Sequence, residues 1–185
     1  GTRLWAVMGT HDLFTAYNLY YSDDDGSTWT LVRNVTPSSG YTGGCAILYD
    51  DINSVLAVVV RGSNDYKIDY STDLGANWTS TNTGLASSGF MGAWVGDGAW
   101  WIGMNGAHVS TNLLPTSFTQ VSSLVGGDRT WNLYARGATA AIADTSANNW
   151  WDVTYNLGSS WENLGTGSVD TYGRAVLPSV NSYTY

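Results

Sequence analysis

Ser22-Asp23-Asp24-Asp25-Gly26-Ser27-Thr28-Trp29 decides the fold of this chain, because the chain repeats it. Ser71-Thr72-Asp73-Leu74-Gly75-Ala76-Asn77-Trp78 is a second copy, and Thr154-Tyr155-Asn156-Leu157-Gly158-Ser159-Ser160-Trp161 is a third. A worn copy, Ser110-Thr111-Asn112-Leu113-Leu114-Pro115-Thr116-Ser117-Phe118, lies between them. The shared pattern is Ser/Thr-x-Asp/Asn-x-Gly-x-x-Trp. Its aromatic endpoints, Trp29, Trp78, Phe118 and Trp161, are 49, 40 and 43 residues apart. A period of about 40–50 residues made of short strands predicts a β-propeller.

Working outward, each box sits between two apolar runs of strand length, so each is expected to be the turn of a hairpin. Asn18–Tyr21, Tyr66–Tyr70, Ala107–Val109 and Trp151–Thr154 run in, and Trp29–Val32, Trp78–Ser80, Phe118–Val121 and Trp161–Leu164 run out. Two further strands precede the hairpin in the later units: Cys45–Tyr49 with Val55–Val60, Gly92–Val95 with Trp100–Met104, and Trp131–Ala135 with Thr139–Ala143. The expected fold is all-β, a propeller of about four four-stranded antiparallel blades in one domain. The units cover roughly residues 1–36, 41–83, 89–123 and 129–165. The first unit has only Leu4–Met8 before its hairpin, whereas the tail Gly173–Tyr183 resembles Gly44–Val55. Residues 171–185 are therefore expected to complete the first blade by strand exchange, within one chain or between chains.

The chemistry of the box is first structural. Asp24, Asp73, Asn112 and Asn156 can accept hydrogen bonds from their own turn, and Ser22 and Ser71 sit two residues before. Gly26, Gly75 and Gly158 can take positive φ. Trp29, Trp78, Phe118 and Trp161 can fold against the hairpin. The alternative for Asp23-Asp24-Asp25, a calcium loop, lacks the alternating ligand spacing that such loops use, and no metal or cofactor is expected.

This motif resembles the Asp-box, or BNR repeat, of sialidase-like β-propellers, in all four units. The resemblance implies peripheral turns and no particular activity, since the same box occurs in glycoside hydrolases and in non-catalytic scaffold proteins. A sialidase would need a clamp of three arginines, a Tyr nucleophile paired with Glu, and an acid/base Asp. Glu162, the sole glutamate, directly follows Trp161 on the box hairpin. Asp97, Asp128, Asp144 and Asp170 lie at loops or strand ends with nothing pairing them, whereas a glycosidase needs two converging carboxylates. His11 and His108 belong to no triad pattern, and His108 is expected to be packed in a strand.

Composition narrows the partners. The net charge is −8, and the seven Lys and Arg are scattered, so no basic stripe exists for nucleic acid. The longest β-branched run, Val55–Val60, is far short of a membrane helix. Cys45 is the single cysteine and reads as a small apolar residue. The chain starts at Gly1 rather than Met, as expected of a processed or excised piece. Asn34-Val35-Thr36 and Asn77-Trp78-Thr79 match the N-glycosylation sequon. Low charge and abundant Ser, Thr, Asn and Gly suit an extracellular or virion-associated protein.

Ten Trp and twelve Tyr are a surplus. Trp100-Trp101 and Trp150-Trp151 are strand neighbours that face opposite ways, so both members are buried only where both sheet faces are covered. The other reading is that some rings reach a rim and stack on sugars. Trp101, Trp131, Tyr134 and Trp150 are the candidates, with Tyr17, Tyr41 and Tyr172 near turns. The expected function is a non-catalytic structural or glycan-binding module of a larger assembly, with other protein subunits as partners. The competing expectation is a sialidase-like glycoside hydrolase or a fragment of one.

Overall fold

The computed structural model describes residues 3–9, 16–35, 44–62, 65–85, 92–104, 106–121, 131–144, 150–166, 168–169 and 175–176. Every regular element among them is a strand. The first sheet holds β1 (Leu4–Gly9), β2 (Tyr17–Ser22) and β3 (Thr30–Val35). The second holds β4 (Cys45–Asp50), β5 (Val55–Arg61), β6 (Tyr66–Ser71) and β7 (Thr79–Asn82). The third holds β8 (Gly92–Gly96), β9 (Ala99–Met104), β10 (Gly106–Ser110) and β11 (Thr119–Gln120). The fourth holds β12 (Trp131–Arg136), β13 (Thr139–Asp144), β14 (Trp150–Thr154) and β15 (Glu162–Thr166). Strands are neighbours in chain order and antiparallel throughout, as hairpins joined by short turns require.

The sheets stack face to face in the order in which they are made. Tyr17, Leu19 and Val35 of the first sheet meet Val58 and Val60 of the second. Val55, Ala57 and Val59 meet Ala93, Trp100 and Ile102 of the third. Ala99, Trp101 and Ala107 meet Leu133 and Ala140 of the fourth. This explains why β5 is an unbroken apolar run rather than an alternating one. Its even residues face the first sheet and its odd residues the third, so Val55 through Val60 are all buried. Trp100 and Trp101 divide in the same way, one into each junction. Fully burying an aliphatic side chain of this kind contributes about 1.5–3 kcal/mol.

The first strands of successive sheets lie side by side, β4 against β8 and β8 against β12, with β1 against β4. Glycine sits where the ends of β8 and β12 meet. Gly137, at φ +54°, donates its N–H to the Gly96 carbonyl at 3.0 Å, a backbone bond across two sheets.

Of the tail expected to complete the first blade, Ala175 and Val176 are the described residues. β17 (Ala175–Val176) pairs with β16 (Ser168–Val169) in a separate two-stranded sheet, and β1 pairs with β2. Residues 170–174 and 177–185 lie outside the described residues.

Candidate functional site

The box turns are built from their own side chains. In the first, Ser22 Oγ–H donates to Asp24 Oδ1 at 2.7 Å and accepts the Gly26 N–H at 2.9 Å. Asp24 also accepts from the Thr28 N–H at 2.8 Å and from the Thr28 hydroxyl at 2.6 Å. The second box repeats this with Ser71, Asp73, Gly75 and Asn77. The other Gly-bearing copy uses Thr154, Asn156, Gly158 and Ser160. A Ser27 N–H to Asp24 carbonyl bond closes the first hairpin, with Asp25 at φ +57° and Gly26 at φ +89°. Two successive positive-φ residues are what a type I′ hairpin turn demands. Leu74 and Leu157, at φ +55° and +56°, hold the same position as Asp25.

These bonds stabilise the ionised carboxylates. The Thr28 hydroxyl first, then its N–H and the Ser22 hydroxyl, hold Asp24 down at about 2. The Asn77 N–H first, then its side chain, hold Asp73 at about 2. Both groups are lower in the folded chain than in the unfolded one. Their stabilisation is therefore complete above the ordinary carboxylate range and is lost as the pH falls toward about 2. Asn156 fills the same place without a titrating group. Asp24→Asn/Asp73→Asn is expected to fold, and its melting temperature should fall less between pH 5 and pH 2 than the wild type's. An unchanged slope would place the acid sensitivity in other groups.

The worn copy keeps part of this network. Ser110 Oγ accepts the Asn112 N–H at 3.3 Å, and Asn112 Nδ2–H donates to Ser117 Oγ at 2.7 Å. Leu114 and Phe118 pack into the junction between the second and third sheets.

The box tryptophans make different contacts. Trp78 Nε1–H donates to the Gly75 carbonyl at 3.0 Å, within its own turn. Trp161 Nε1–H reaches instead to the Val121 carbonyl of the preceding sheet at 2.9 Å. Trp29 remains exposed.

The aromatic candidates separate clearly. Trp101 is fully buried between the third and fourth sheets, and its Nε1–H donates to the Gly137 carbonyl at 2.9 Å. It is a structural residue, because the fourth sheet covers the face that a rim position would leave open. Tyr17 is likewise core. Trp131 and Trp150 open β12 and β14, but their side chains lie outside the described residues, as do Tyr41 and Tyr172 altogether. Tyr134 is 46% exposed on β12. Its neighbour is a residue that sequence reasoning passed over: Trp94 on β8, 38% exposed, with its ring centroid 5.5 Å from that of Tyr134 and the planes tilted by 46°. The available signal was a lone Trp in the strand Gly92-Ala93-Trp94-Val95-Gly96, with Ala93 taking the buried face.

A second aromatic feature lies between the first and second sheets. Arg3, Trp5, Tyr49 and Leu74 line a cavity of about 540 Å³. The Arg3 guanidinium sits 4.0 Å over the Tyr21 ring and makes a bidentate pair with Asp23, both bonds at 2.8 Å. Tyr49 is exposed on β4, so β4, β8 and β12 each present an aromatic ring to solvent.

Many of the described carboxylates hold the fold together. Asp50 caps its turn through the Ile52 N–H and Asn53 Nδ2. Asp69 is fully buried. It accepts from Ser80 Oγ at 2.6 Å, and its charge is met by Arg33 at 2.9 Å and Lys67 at 3.5 Å. Asp97 faces Arg136 at 3.9 Å, both exposed. Glu162 is exposed at the start of β15. Asp128 and Asp170 lie outside the described residues, as does the Asp144 side chain. His108 is buried on β10, and burial pushes its pKa down. Burial also pushes the half-buried Cys45 thiol up.

No family model matches the chain, and no curated protein matches it. Solved structures do. The GH74 enzyme of Niastella koreensis superposes with a TM-score of 0.52 at 22% identity, covering 84% of this chain and 23% of that one. The GH74 xyloglucanase of Xanthomonas campestris superposes with a TM-score of 0.58 at 15% identity, covering 89% of this chain and 29% of that one. Both are glycoside hydrolases that contain β-propellers. At these identities the likeness carries the fold, an all-β stack of antiparallel sheets of the propeller kind. This chain spans between 23% and 29% of the length of these two enzymes.

Proposed function

We propose that this chain is a non-catalytic, carbohydrate-binding section of an Asp-box β-propeller, carried by an extracellular or particle-borne assembly such as a virion or tail. The observation behind this reading is the Trp94–Tyr134 pair, two exposed rings 5.5 Å apart on adjoining first strands of rigid sheets. Exposed aromatic surface held by packed β-structure is unusual unless something covers it. A tilted aromatic pair offers a sugar ring an apolar face to lie on, with little side-chain entropy left to lose. A second reading, a section of a glycoside hydrolase, is favoured by the names of the structural neighbours. It would need acid and base groups from residues beyond those described.

Affinity electrophoresis through gels containing xyloglucan, other plant β-glucans or sialylated glycans tests both readings. The wild type should be retarded in at least one gel. Trp94→Ala and Tyr134→Ala should each weaken that retardation about tenfold, or about 1.4 kcal/mol. Mobility unchanged in every gel would end the glycan reading, and release of reducing ends would replace it with the hydrolase reading.

A further inference from the structure

We propose that the worn box of the third sheet forms a second ligand site, one that takes a single neutral sugar ring or a polyol of that size. The observation that carries it is a cavity of about 320 Å³ at this turn. Ser110, Thr111, Asn112, Ser117 and Thr119 line it with hydroxyls and one amide, and Val109 and Val121 add an apolar wall. These lining residues include no Lys, Arg, Asp or Glu. The volume lies at the small end of the range for ligand pockets, about 300–1,000 Å³.

The change in the box is what leaves polar groups for a ligand. In the first box, Ser22 Oγ–H donates to Asp24 Oδ1 and accepts the Gly26 N–H. In the third sheet Leu114 stands in the glycine's place and Pro115 follows it. Leu114 packs instead into the junction with the second sheet. Among the described residues, Ser110 Oγ accepts the Asn112 N–H at 3.3 Å and makes no second bond. Asn112 Nδ2–H donates to Ser117, and Asn112 Oδ1, the counterpart of the Asp24 acceptor, accepts nothing among the described residues. Ser110 is 4% exposed, and a buried hydroxyl with a bond unmade favours a partner that supplies it. Sugar hydroxyls both donate and accept, which suits hydroxyls and a free amide oxygen, and the C–H face of the ring suits Val109 and Val121. An anion would bring a charge that no lining cation meets, into a chain of net charge −8.

The walls are held before any ligand arrives. The Val121 N–H donates to the Ala107 carbonyl at 2.9 Å, and the Val121 carbonyl accepts the Trp161 indole N–H at 2.9 Å. The Thr116 N–H donates to the Leu114 carbonyl at 2.8 Å, and Phe118 packs into the core. Binding therefore has little left to order. The site does not rest on the Trp94–Tyr134 pair, because β8, which carries Trp94, is at the opposite edge of this sheet from β11.

Titration of the isotope-labelled chain with glucose, xylose and glucuronate, followed by amide NMR shifts, tests this. Glucose or xylose should move the amides of Thr111, Asn112, Ser117 and Thr119 and saturate them, with a dissociation constant of about 1–10 mM for so small a ligand. Thr111→Val and Thr119→Val remove one hydroxyl each at exposed positions and keep the side-chain shape. At least one should weaken binding about tenfold, with the wild-type melting profile kept. Trp94→Ala should leave these shifts unchanged, so failure of the rim pair to bind glycans would not touch the result. No saturation at these amides through about 100 mM of either neutral sugar would overturn the proposal. Wild-type affinity in both valine variants would do the same, and tighter binding of glucuronate than of glucose would overturn the neutral ligand class.

Discussion

Trp101→Ala is expected to cost about 3–5 kcal/mol, the usual range for emptying a large aromatic site. The indole is fully buried between the third and fourth sheets, among Ala99, Ala107, Val109, Leu133 and Ala140. Small residues around a large ring leave few side chains able to move into the hole. The loss also includes the bond to the Gly137 carbonyl, and Gly137 is held from the other side by its N–H bond to Gly96. Chemical denaturation gives the size of the effect. Two conservative variants separate packing from hydrogen bonding. Trp101→Phe strands a buried carbonyl and should cost about 1–3 kcal/mol more than the change in ring size alone. Trp100 Nε1 has no hydrogen-bond partner among the described residues, so Trp100→Phe loses ring volume without breaking a hydrogen bond. Equal losses for the two phenylalanine variants would mean that the Gly137 bond contributes nothing.

The second large effect is at Gly75. Gly75→Ala forces a Cβ to 2.5 Å from Trp5, whose ring is already fixed between Tyr21 and Trp78. Overpacking of this kind costs about 1–3 kcal/mol. To this is added the left-handed backbone term of about 1–2 kcal/mol that any L-residue meets at φ +89°. Gly26 has the same φ of +89° but, among the described residues, nothing closer than 3.7 Å, so Gly26→Ala should show the backbone term alone. The difference between the two variants measures the sheet junction directly. If thermal melts show equal losses, Trp5 does not seat against the second box as the structure has it.

The box turns were legible because their chemistry is local: an acceptor, a glycine and an aromatic at fixed offsets. The residues after the glycine were less so. Thr28, Asn77 and Ser160 complete the acceptor's shell, yet three residue types share the position and none stands out in the sequence. The burial of Trp100 and Trp101 on opposite faces followed from alternation once stacked sheets were assumed. That also disqualified Trp101 as a rim residue, a conclusion that needed the position of the fourth sheet. Trp94 was missed for a related reason. Its partner Tyr134 is forty residues away, and only the adjacency of β8 and β12 brings the two rings together. The tail was legible only as a resemblance of Gly173–Tyr183 to Gly44–Val55, and among its described residues Ala175 and Val176 pair with β16.

At two junctions the later sheet's box receives a side chain of the earlier sheet, Trp5 over Gly75 and Val121 over Gly158, and this bears on how such chains change length over generations. A stretch running from one box aromatic to the next, 40 to 49 residues here, carries the strands of one sheet and its box. An in-frame duplication of that stretch inserts one whole sheet between neighbours of the same kind, and a deletion removes one. Drift then follows at low cost. The third unit has lost its glycine and gained a residue in the turn, yet it keeps its place through the Ser110–Asn112–Ser117 bonds and the packing of Leu114 and Phe118.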